Sequence, residues 1–176
     1  SSERATMGGC IANNATGSNT LGLDLRLVNA QTFFAANSGT TLNLSGTIDT
    51  GNLPGTTYVL GTSALTLDGS GAMSFTAASR ITGYGSVTKL GDGTATFAGA
   101  NDYLGITDVR QGVLVAAHNT ALGSATTGDT QVQAGAALQV TGGVTIAEPL
   151  AIREGGVGFG SGISAEGLGA LRSVGG

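Results

Sequence analysis

The sequence has no tryptophan, one cysteine, two prolines and one histidine in 176 residues, and only 10% of its positions are charged. Each shortage closes a class of protein. The single Cys10 cannot build the disulfide framework of a small secreted domain. With two prolines and no strict glycine at every third place, the 32 glycines do not make a collagen. Seven Lys and Arg against eleven Asp and Glu leave a net charge of −4. Arg4, Arg26, Arg80, Lys89, Arg110, Arg153 and Arg172 stand well apart, so no cationic face for nucleic acid forms. No apolar run approaches the roughly 18 residues of a membrane span, and Ser1-Ser2-Glu3-Arg4 does not open a signal peptide. Disorder does not fit either, because 40% of the residues are hydrophobic and the net charge is small. The lone His118 excludes a histidine-based triad and a two-histidine metal centre.

What is present is period-two alternation. Residues 20–27 put Leu21, Leu23, Leu25 and Leu27 on one face. Leu42/Leu44, Leu65/Leu67, Met73/Phe75 and Leu138/Val140 repeat the pattern, with Thr, Ser, Asn or Asp between. Apolar residues on one face and small polar ones on the other mark short half-buried strands. Gly46, Gly69, Gly91, Gly112, Gly135 and Gly142 punctuate them, as turns of positive φ require.

Two offsets of 23 recur. Leu42–Gly46 reappears as Leu65–Gly69, and Thr107–Gly112 as Thr130–Gly135. The phase between residues 70 and 106 is irregular. A sandwich core is filled by large aromatics, but this chain has only five Phe and three Tyr. Inward positions are mostly Leu, Val, Ile, Ala and Thr, which suits a narrow solenoid whose coils stack like on like. The expectation is an all-β, right-handed parallel β-helix (β-solenoid) of roughly seven coils of about 23 residues. At a strand spacing of about 4.8 Å, the rod would be roughly 35 Å long. Residues 1–18 are expected to be an irregular N-terminal cap or linker, and 19–176 the solenoid.

Residues 87–115 carry a more specific signature. It comprises Thr88-Lys89, the Gly91/Gly93 turn, Gly99-Ala100-Asn101, Tyr103, Gly105, Thr107, Val109 and Gly112. This stretch resembles the passenger-associated β-strand repeat of bacterial autotransporters. Ala95, Phe97, Asp102 and Leu104 depart mildly from the family pattern. Residues 119–124 and 135–143 continue the resemblance, and 169–176 resemble the boundary before a further repeat. The resemblance implies a structural, non-enzymatic repeat with no catalytic residues to transfer. It also implies display at the bacterial surface or secretion. The family's outer-membrane barrel is missing, so membrane attachment would come only through that barrel. The chain therefore reads as a module of a longer passenger or adhesin. Expected partners are neighbouring repeats or copies of itself, with a host or surface glycan as candidate ligand.

No catalytic, cofactor or metal site is expected, and each suspect has a structural explanation. His118 belongs to a turn. Gly155–Gly160 is similar to a calcium-binding nonapeptide but has Gly160 where the aspartate belongs. Ser86-Val87-Thr88-Lys89 fits S-x-x-K, a motif that needs a helix start and here falls on a strand. Asn14-Ala15-Thr16 and Asn43-Leu44-Ser45 match a glycosylation pattern of little meaning in a bacterial protein. Cys10 is a buried or terminal thiol, or a link between chains. The alternative to a structural module is a polysaccharide-active β-helix enzyme, with Asp102, Asp108 and Asp129 aligned along one face; turn chemistry explains them equally. Tyr58, Tyr84 and Tyr103 could form a sugar-stacking track, or pack.

Overall fold

The computed structural model describes residues 5–7, 10–51, 63–153 and 170–175. Among them are eighteen strands and no helix. In chain order they begin with β1 Ala5–Met7, β2 Ile11–Asn13, β3 Asn19–Leu21, β4 Leu25–Leu27, β5 Gln31–Ala35 and β6 Thr41–Leu44. They continue with β7 Thr47–Asp49, β8 Leu65–Asp68, β9 Ala72–Phe75, β10 Arg80–Thr82, β11 Val87–Lys89 and β12 Thr94–Phe97. The last are β13 Thr107–Val109, β14 Gly112–Ala116, β15 Thr130–Val132, β16 Ala136–Thr141, β17 Leu150–Ile152 and β18 Leu171–Val174.

Successive strands visit three sheets in turn. The first sheet is β1-β4-β7-β10, the second β2-β5-β8-β11-β13-β15-β17, and the third β3-β6-β9-β12-β14-β16-β18, with neighbours parallel throughout. Two seven-stranded sheets make seven coils of a parallel β-helix, the expected architecture. Residues 1–18 were expected to be irregular, yet β1 and β2 lie within them and pair with β4 and β5. Three-residue strands are too short to show alternation, so the sequence hides them.

The register settles which repeat is real. Thr107 lies beside Thr130 and Val109 beside Val132, a true coil of 23 residues. The other offset of 23 is coincidence. Leu42 sits beside Met73 in the third sheet, whereas Leu65 sits beside Gln31 and Val87 in the second. Neighbouring coils vary: Leu65 to Val87 is 22 residues and Val87 to Thr107 is 20. This variation causes the irregular phase after residue 70. Steps of 34 residues (Gln31 to Leu65) and 33 (Leu138 to Leu171) run through 52–62 and 154–169, outside the described residues.

The core is a set of columns along the rod. In the third sheet Leu42, Met73, Ala95, Leu114 and Leu138 stack in register, beside Leu44, Phe75, Phe97 and Ala116. The Phe75 and Phe97 rings meet edge to face at 4.7 Å, a favoured aromatic geometry. In the second sheet Phe33, Leu67, Lys89, Val109 and Val132 form one column. All are buried, and each large apolar side chain contributes about 1.5–3 kcal/mol. Few as they are, the aromatics Phe33, Phe75, Phe97 and Tyr103 are the largest fully buried side chains.

One corner explains much of the glycine. Gly69, Gly91, Gly112 and Gly135 all have positive φ where the second sheet turns into the third. A Cβ on Gly91 would lie 2.5 Å from the backbone of Gly69, and one on Gly112 2.4 Å from the Gly91 carbonyl oxygen. The turns stack directly on one another and leave no room for a side chain.

Candidate functional site: a groove along the third face

The first sheet ends at β10. In later coils its face is built by loops around residues 99–106, 117–129 and 142–149. These loops remain tied to the coils before them. The Asp102 and Leu104 amides donate to the carbonyls of Ile81 and Gly83 at 3.0 and 2.8 Å, and Ser124 N donates to the Tyr103 carbonyl at 3.0 Å. Where strands give way to loops the face is indented by a groove of about 680 Å³.

Two repeat residues hold this face. Asn101, 2% exposed, accepts from the Ile81 amide at 2.8 Å and donates to the Ala121 carbonyl at 2.6 Å. Its one side chain thus bridges three coils. Tyr103 is fully buried, with its hydroxyl 2.5 Å from the Thr107 hydroxyl, which donates to the Leu122 carbonyl at 3.1 Å. Burial pushes the Tyr103 phenol well above its ordinary pKa. Tyr103 therefore belongs to no surface track. Tyr84 is exposed, and Tyr58 lies outside the described residues.

The three suspected aspartates are not brought together. Asp102 lies on the groove rim, paired with Arg80 through two hydrogen bonds, one of 2.9 Å to Arg80 Nε. That pairing lowers the Asp102 pKa and raises that of Arg80. Asp108 is a residue of the second sheet, bound by Arg110 at 2.6 Å and Gln133 at 2.8 Å. Asp129 is exposed just before β15, and the register partner of Asp108 is Gln131. A 23-residue period aligns such residues only where coils keep that length, and here they do not.

The groove's other carboxylate escaped the sequence reading. Glu148 is 8% exposed; one oxygen accepts from the Thr130 hydroxyl, while Oε2 has no partner. Burial pushes its pKa up to about 7, against the Thr130 bond and with help from the Asp129 charge. Glu148 follows no alternation, and only the path of its loop buries it, so nothing in the sequence marked it.

Lys89 is the buried cation of the second-sheet column. Its ammonium donates to the carbonyls of Leu90, Gly91 and Gln111 at 2.5, 2.7 and 3.3 Å. It clasps the glycine corner of its own coil and the next. Burial lowers its pKa to about 8, although Asp68 and Asp92 oppose the shift. Val87–Lys89 is a strand, so Ser86 and Lys89 form no helix-borne nucleophile pair. His118 sits in a turn and accepts from the Thr120 amide at 3.1 Å. Cys10 is exposed, and Gly155–Gly160 falls outside the described residues. Among the described residues no three His, Cys, Asp or Glu gather to hold a metal ion.

Fold and groove together define a parallel β-solenoid whose loops are braced by Asn101 and Tyr103. Residues 87–116 match the family model of the passenger-associated-transport-repeat. The segment expected from its motif to be an autotransporter passenger repeat is one. No curated protein and no solved structure matches the chain.

Proposed function

We propose that the chain is a non-enzymatic stalk segment of an autotransporter-like passenger or adhesin, displayed at a bacterial surface or secreted. The observation that carries this reading is the unbroken coil stack through the matched repeat. Its most distinctive residues, Lys89, Asn101 and Tyr103, are buried and spend their polar groups on neighbouring coils. A segment whose signature residues all join coil to coil is suited to stiffness. Solenoid stability comes from each coil resting on the next, so such a rod resists proteases and holds whatever it carries away from the cell.

We further propose that copies stack end to end into an extracellular filament. Strands β2 and β3 at one end, and β17 and β18 at the other, pair on one side only. An unpaired strand edge is a template for another chain. Negative-stain microscopy of the purified chain at neutral pH tests both statements. Long fibres one solenoid wide are expected. Separate short rods would remove the filament and keep the stalk, and collapsed particles cut rapidly by protease would remove the stalk as well. A polysaccharide-active enzyme is not favoured, because Asp102, Asp108 and Asp129 do not converge.

A further inference from the structure

The groove on the third face is not needed for stiffness. Its volume of about 680 Å³ lies within the range that takes small ligands. Its walls mix two kinds of surface. Leu104, Leu122 and Ile146 supply apolar area. Thr120, Ser124 and the Arg80–Asp102 pair supply hydroxyls, guanidinium donors and carboxylate acceptors.

Charge decides the class of occupant. The ionisable residues lining the groove are Arg80, Asp102 and Glu148. The first two neutralise each other, so no free cation waits for a phosphate or sulfate. Glu148 is buried with Oε2 unpartnered, and an unsatisfied buried polar atom costs about 1–3 kcal/mol. A donor entering the groove supplies what the protein withholds. Arg80 uses two hydrogen bonds on Asp102 and has further N–H groups to give. A ligand must therefore both donate and accept, carry little net charge, and lay C–H surface against leucine and isoleucine. We infer that the groove is a binding site for a neutral, polyhydroxylated ligand, a saccharide segment, seated between the Arg80–Asp102 pair and Glu148.

This assignment does not rest on the stalk or the filament, since a single rod presents the same groove. It is tested by titrating the whole chain with neutral hexose and N-acetylhexosamine oligomers, against sulfated and uronic-acid oligomers of equal length. Neutral oligomers are expected to bind. Ala125→Arg, at an exposed position on the groove wall, is expected to weaken binding at least tenfold while leaving the unfolding midpoint unchanged. Asp102→Asn, which keeps the shape and removes the charge, is expected to weaken it less. Binding of acidic oligomers alone, binding that Ala125→Arg leaves untouched, or no binding at all overturns the assignment.

Discussion

At the scale of single residues, two buried ionisable groups give the fold opposite responses to pH. Glu148 holds its proton in the folded chain up to about pH 7, whereas a free glutamate releases it near 4.3. Between those values the native state binds more protons, so stability falls as pH rises through the window. Lys89 acts the other way. Its folded pKa is about 8 and a free lysine's about 10.4, so the unfolded chain binds more protons between them and stability rises with pH there. Urea midpoints at pH 5 and 7 should therefore differ less in Glu148→Gln than in the parent. Midpoints at pH 8 and 10 should differ less in Lys89→Met. The second variant should also lose about 2 kcal/mol at pH 7, because Leu90, Gly91 and Gln111 carbonyls lose a charged donor. A Lys89→Met protein as stable as the parent would show that the clasp is incidental.

At the scale of elements, the strands were legible and the loops were not. Alternation exposed β6, β8, β9 and β16 because one face of each meets a column and the other meets solvent. Glycine marked the corner, since Gly69, Gly91, Gly112 and Gly135 all need positive φ. Gly91→Ala should cost more than about 3 kcal/mol, strain at positive φ adding to a 2.5 Å clash; circular dichroism melts would read it. The third face was illegible because a loop's path depends on what it lands on. Asp102 was noticed as a carboxylate, but not that Arg80 would pair with it. Tyr103 was weighed as a surface residue, yet the loop turns it fully inward onto Thr107. The motif position of Asn101 was recognised while its task was not. Asn101→Ala should cost about 3 kcal/mol by stranding the Ile81 amide and the Ala121 carbonyl. Asn101→Asp should spare the first contact and lose the second, giving a midpoint between the two.

At the scale of the molecule, a solenoid is a one-dimensional stack, and its stability is a sum of coils and of interfaces between neighbours. That makes a whole coil removable in a way no element of a globular core is. Thr107 stands beside Thr130, and Val109 beside Val132. Deleting residues 107–129 removes one period and brings Thr130 to the place of Thr107, with Gly135 following as Gly112 does. Val87 would then face Thr130, and the Tyr103 hydroxyl would meet the same kind of partner as before. The shortened rod should fold, keep its β-sheet circular dichroism per residue, and unfold with a smaller urea m-value, since it exposes less surface. Deleting only residues 107–117 is the contrasting case. It removes about half a period, sets strands of the second sheet against the third-face loops, and turns inward columns toward solvent. That protein should fail to fold. If both deletions unfold the chain alike, the coils are not independent units, and the rod is held by a contact that spans more than neighbours.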